Sequence, residues 1–259
     1  MSVPTQLLES LASAQSPDST DKSVAEAVQA FCDGATNSST EESIGDYLWN
    51  ACSSIFDVVG RTPAERQRGL LELMSRLRQT TVSDKDGQPL NYGGGVVWRD
   101  LPLFGWVARD RWNLDGLRAS ATAQEQSIWE NWTAFLAQLT GLASVDDRRG
   151  PFNYSLFALW SLRAALEDKP SEAVNNAFAI TAASIWIRYA GAVLRKLSAE
   201  GRTLDGNMGA PGGKFADRDW KGFNEERWTA WKEGFEAARG DGEAADKAAR
   251  DAAKLMEDL

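Results

Sequence analysis

The sequence contains no histidine. That removes the side chain whose ordinary pKa lies nearest neutrality and the commonest metal ligand. Ser-His-Asp and Cys-His nucleophile machinery, zinc hydrolysis, facial-triad iron and His-ligated haem are thereby excluded in their usual forms. Cysteine is scarce as well. Cys32 and Cys52 make no disulfide framework in a chain of 259 residues. No metal site and no cofactor is expected. A basic stripe is also missing: 28 basic residues stand against 37 acidic ones, a net charge of −9. Such a surface does not fit nucleic acid or an anionic membrane. The first twenty residues, MSVPTQLLESLASAQSPDST, lack the basic and long apolar regions of a secretory signal. A cytoplasmic setting is the expectation, and the sequons at Asn37, Asn131 and Asn153 are then chance matches. The triple glycine at 93–95 is not followed by Gly-Lys-Ser/Thr, so it is no phosphate loop.

What the chain does have is helical periodicity. Residues 1–21 read as a flexible arm and 22–259 as one helical domain. A helix is expected over 22–33, with Val24, Ala27, Val28 and Phe31 on one face. Ser39-Thr40-Glu41-Glu42 is a capping-box pattern. It opens a helix in which Ile44, Tyr47, Leu48, Ala51, Ile55, Val58 and Val59 form one stripe. Thr62-Pro63-Ala64-Glu65 is a second start signal, leading to Leu70, Leu71, Met74 and Leu77. These two helices are expected to pair antiparallel. Further helices are expected over 103–112 and 122–140, from Pro151, from a Ser171 cap, from an Asn224 cap, and over 242–257. The stretch 177–187, AFAITAASIWI, is apolar all round until Arg188 interrupts it, which marks a central helix surrounded by others. No segment shows strand alternation. The fold class is all-α: a single-domain bundle of about eight or nine helices around a central apolar helix.

Tryptophan is the other compositional signal, 11 against 10 Phe and 4 Tyr. It is densest in WRDLPLFGWVARDRWN, residues 98–113. There Trp106, Arg109, Asp110 and Asn113 fall at i, i+3, i+4 and i+7, one face of a helix. An indole, a guanidinium, a carboxylate and an amide on one face can hold a planar or anionic ligand. The competing reading is a buried Arg109–Asp110 pair that orients helices. Trp160, Arg163 and Glu167 follow the same helical spacing, with Arg163–Glu167 as an i, i+4 ion pair. Trp186 and Tyr189 sit three apart on the central helix, and Tyr154 precedes Trp160. The adjacent Asp146 and Asp147 lack a second metal motif. The 201–222 stretch, with six glycines, is the longest loop, read either as a passive connection or as a lid.

The order of several segments resembles a known family. They are the Trp49 helix, WRDLPLFGWVARDRWN, WTAFLA at 132–137, FALWSLRAALE at 157–167, AASIWIRYAG at 182–191, WKG at 220–222 and ERWTAWK at 226–232. Together they look like the family catalogued as domain of unknown function 3632, over about residues 42–258. The resemblance implies a fungal source, an all-helical fold and an intracellular setting. It implies no reaction, so no catalytic residue carries over.

Two functions compete. One is a small-molecule-binding protein or cofactor-independent cyclase or isomerase with a Trp-lined pocket for an apolar or aromatic ligand. Asp100 or Asp110 would then serve as acid or base. Trp98, Arg99, Trp106, Arg109, Asn113, Tyr154, Trp160, Trp186 and Tyr189 would bind. The other is a helical interaction or scaffold module without catalysis, for which Trp is a favoured anchor. A homodimer is compatible with either. An enclosed pocket lined by Trp98, Trp106 and Trp186 would favour the first, and an exposed apolar patch the second.

Overall fold

The computed structural model describes residues 4–13, 17–38, 40–147, 150–238 and 242–259, without the side chains of residues 17–20. The expected cap at Ser39 and the two arginines after Asp147 lie outside the described residues. The all-α class holds. Ten α-helices, two 3-10 turns, one π turn and one short hairpin make up the regular structure among these residues. They fall into two compact units: residues 1–114 with 127–135, and residues 115–126 with 136–259. No change of composition marks that division.

The first unit contains α1 (Thr5–Ser13), α2 (Pro17–Thr36), α3 (Glu41–Gly60), α4 (Arg68–Gln79), α5 (Phe104–Trp112) and the middle of α6 (Ala123–Gly141). Where a flexible arm is expected over residues 1–21, the described residues form α1 and the start of α2. Leu8 and Leu11 are buried on α1, which packs against α2, α3 and α4. A Cβ on Gly69 would stand 2.7 Å from the Leu11 carbonyl oxygen, so α1 and α4 approach backbone to backbone. This insertion also changes the expected α3–α4 pairing: α4 packs on α1 and α2. On α4 it is Leu73, with Leu70, Met74 and Leu77, that is buried, while Leu71 is half-buried.

The start signals shift by a few residues. Thr40 caps α3 in a box closed by Ser43. Thr62 opens no helix. Its hydroxyl donates to Val58 O (2.7 Å) and closes the end of α3. Between α4 and α5, around the triple glycine at 93–95, β1 (Asn91–Tyr92) pairs antiparallel with β2 (Gly95–Val96). Gly93 and Gly94 between them have φ of +56° and +85°. Two positive φ angles are what a tight two-residue hairpin turn requires, and glycine meets that need without steric cost.

The second unit contains the ends of α6, α7 (Ser155–Leu162) with a π turn (Arg163–Glu167), α8 (Asn176–Ala199), α9 (Glu225–Ala237) and α10 (Glu243–Glu257). Its central helix is α8, which packs on α7, the π turn, α9 and α10. It is long and apolar enough to cross a membrane, and 56% of that apolar window is buried. Arg188 is exposed and lies over the Tyr189 ring (5.4 Å). Asn175, not Ser171, caps α8, accepting from Phe178 N (3.1 Å). Ser171 instead bonds Ala173 N (3.2 Å) in the preceding turn. Asn224 caps α9 as the sequence indicates, accepting from Arg227 N (2.8 Å).

Candidate functional site

Most of the tryptophan excess is core. Trp98, Trp129, Trp132, Trp186, Trp220, Trp228 and Trp231 are buried, and Trp112 and Trp160 are half-buried. Trp49 and Trp106 are the exposed pair, at 40% and 70%.

In the first unit, the 98–113 segment separates into two parts. Residues 97–101 form a strained inward turn. Trp98 (φ +66°) and Leu101 (φ +46°) are both left-handed and both buried. For bulky residues such a conformation costs of order 1–3 kcal/mol and persists only where the surroundings enforce it. Edge-on packing against Phe31 (5.6 Å) and Tyr47 (6.3 Å) supplies that enforcement. The Trp98 indole N–H is buried without a hydrogen-bond partner. Asp100 ties the turn together, accepting from Val96 N (2.8 Å) and pairing with Arg99 (2.9 Å). The Arg99 hydrogen bond holds the Asp100 carboxyl below its usual range.

The second part is α5. Phe104, Val107 and Ala108 face inward, with Phe104 against Phe56 (4.9 Å). Arg111 turns to Asp57 (2.8 Å), and Trp112 packs on Trp129 (4.5 Å). Trp106, Arg109, Asp110 and Asn113 share the opposite, solvent-facing side. The expected common face therefore exists, but it points outward. The buried Arg109–Asp110 pair does not form.

In the second unit, Tyr154 stacks on Phe157 (5.9 Å), and Phe157 leads to Trp160 (5.7 Å). Trp186 is sealed in the core, its indole donating to Ser161 Oγ (3.0 Å). Tyr189 is half-buried. The nine expected ligand-binding residues are thus shared between the two units, and within each some are buried and others meet solvent.

The best-defined polar constellation was not assembled from the sequence. Arg227, in the first turn of α9, forms a bidentate pair with Glu167 (Nε–Oε1 2.7 Å, Nη2–Oε2 2.9 Å), with neither side chain exposed. Every remaining valence is used. Glu167 accepts from Trp231 Nε1 (2.6 Å) and Gly212 N (2.8 Å). Arg227 donates to the carbonyls of Gly209 (2.7 Å), Gly222 (2.8 Å) and Ala210 (3.1 Å). Its guanidinium lies over the Trp220 and Trp231 rings, 5.4 and 5.5 Å from their centres. The π turn accounts for the failure of the expected Arg163–Glu167 pair. Asp168 N bonds Arg163 O (2.9 Å), an i to i+5 closure that widens the helix and removes the i, i+4 alignment. Arg163 reaches Ala210 O (3.3 Å) instead. The available signal was the helical spacing of Trp160, Arg163 and Glu167. Their partners, 45 or more residues away, had none.

No curated protein and no solved structure matches the chain. A family model described as "Protein of unknown function (DUF3632)" matches residues 49–235, a span holding the 98–113 segment, Glu167 and Arg227. With most of its length matched, the chain belongs to that family.

Proposed function

We propose that the protein is a helical interaction module whose contact surface is the solvent face of α5, with Trp106 as its anchor. The observation that carries the reading is the 70% exposure of Trp106 in a chain that buries most of its other tryptophans. Arg109, Asp110 and Asn113 share that exposed face with the indole. A large apolar side chain rimmed by polar ones is the common form of a protein-binding hot spot. Small ligands are bound in concave sites that cover most of their surface. The outer face of a helix is convex, so a protein or peptide chain fits it better. The net charge of −9 favours a partner of basic character, drawn in by long-range attraction.

The test compares wild type, Trp106→Ala and Trp49→Ala as bait in native extract, followed by calorimetry with the purified partner. The expected result is a protein bound by wild type and Trp49→Ala and lost with Trp106→Ala. Retention of the same partners by all three would overturn the reading.

A second reading, the small-molecule binder, is favoured by the unpartnered Trp98 N–H in its strained turn. A ligand offering an acceptor would satisfy it. Asp100, whose pKa Arg99 lowers, would be unsuited to act as an acid in this reading. Thermal stabilisation by a metabolite that Trp98→Phe abolishes and Trp106→Ala leaves intact would select this reading.

A further inference from the structure

The loop between α8 and α9 is a strap with a closed neck. Thr203 and Gly222 form an antiparallel bridge, with Leu204 N bonded to Lys221 O (2.7 Å) and Phe223 N to Arg202 O (2.8 Å). Beyond the neck, one helix face meets the strap at every second residue. Trp160 Nε1 donates to Met208 O (3.1 Å), Arg163 Nη1 donates to Ala210 O (3.3 Å), and Glu167 Oε2 accepts from Gly212 N (2.8 Å). Arg227 holds the Gly209 and Ala210 carbonyls from α9. All of these contacts read main-chain atoms. The two buried points of this stretch are Gly209 and Gly212. A Cβ on Gly212 would meet Glu167 Cβ at 2.6 Å, and one on Gly209 would collide with the Lys221 carbonyl. Apolar anchorage is slight: Trp220 is buried beside the neck, Phe215 is half-buried against it, and Met208 is 40% exposed.

A row of donors and acceptors spaced for a backbone, with room for glycine alone where Gly212 meets Glu167, is the chemistry of a peptide receptor. We propose that Trp160, Arg163, Glu167 and Arg227 form a binding site for a glycine-rich peptide chain, occupied in cis by residues 208–212. The strap is then an autoinhibitory ligand that lifts about its neck. Tethering gives the strap an effective concentration in the millimolar range, so a trans peptide binds the intact protein weakly until the strap is loosened.

The experiment uses the full chain and, as probe, a capped synthetic peptide of residues 207–214. Gly212→Ala loosens the strap by setting a methyl against Glu167 Cβ and the Asp168 carboxylate, with all four receptor side chains left chemically unchanged. Its amides over 205–221 are expected to exchange at least tenfold faster as one block, with α8 and α9 unchanged. Millimolar probe should raise its Tm saturably, and a probe with Ala in place of its Gly212 should not. Arg163→Met, which removes one contact and keeps Glu167 and Arg227, is the second loosening variant and should open in the same way. Glu167→Gln should open the strap and show no response to the probe. Wild-type exchange rates in both loosening variants would overturn the proposal. So would faster exchange in Gly212→Ala without a response to the probe, or a response in Glu167→Gln equal to that in Gly212→Ala.

Discussion

Arg227 and Glu167 stand 60 residues apart in the chain and meet through two parallel hydrogen bonds with no exposed side-chain surface on either partner. Removing two charges from water is costly, and their mutual attraction offsets the cost only when the other donors and acceptors are also satisfied. Here Trp231, Gly212, Gly209, Ala210 and Gly222 complete the set.

The pair should behave as a unit. Arg227→Met leaves the Glu167 carboxylate buried without its partner and should cost about 3–5 kcal/mol. Glu167→Met combined with Arg227→Met should cost less than the sum of the single changes. Urea denaturation of the two single variants and the double variant closes the cycle. Strict additivity would mean that the two residues are not coupled.

The two tryptophans at the extremes of exposure should differ sharply. Trp231→Ala opens a cavity and removes a hydrogen bond to Glu167, at about 3–5 kcal/mol. Trp106→Ala, on the solvent face of α5, should stay within about 0.5 kcal/mol of wild type. Chemical denaturation measures both. A large loss for Trp106→Ala would mean that its indole supports the fold.

Gly69→Ala tests whether α1 is part of the first unit. The added methyl meets a backbone oxygen, which cannot swing aside as a side-chain tip can. The variant should lower Tm and speed amide exchange in Thr5–Ser13 before the rest of the unit. Wild-type protection of α1 would show that the close approach is absent in solution.

Glu130 supplies the pH dependence. Burial, reinforced by the charge of Glu65, raises its pKa above the usual carboxylate range. The folded state therefore holds this proton more tightly than the unfolded state. Its contribution favours folding at low pH and is lost as pH rises through the raised pKa. Glu130→Gln should increase stability at pH 7 and give a smaller gain at about pH 3, where wild type is largely protonated in both states. Denaturation midpoints at the two pH values decide it, and an equal gain at both would exclude the charge as the cause.

Much of the fold was legible because its signals are local. The α3 stripe, the Asn224 cap and the apolar run of α8 each depend on spacing within one or two turns, and each corresponds to an observed element. The misread starts at Thr62 and Ser171 show the limit of such signals. A hydroxyl can close the helix behind it or a turn ahead of it as readily as open a new helix, and tertiary packing selects among them. The grouping of Trp106, Arg109, Asp110 and Asn113 was also legible, since helical spacing fixes who shares a face.

Which way that face points was not. Burial of Phe104 against Phe56 rotates α5 so that Trp106 meets solvent, a choice made by a neighbour from another part of the chain. The same holds for Glu167. Its sequence neighbour Arg163 is one turn away on any regular helix, and the π turn breaks that alignment. Its partner Arg227 is supplied by a helix far along the chain, so periodicity carries no trace of the pairing. The sequence by itself determined helical class, most element positions and which residues share a face. The tertiary structure decided which faces are buried and which charges meet, because desolvation and pairing depend on residues brought together only by folding.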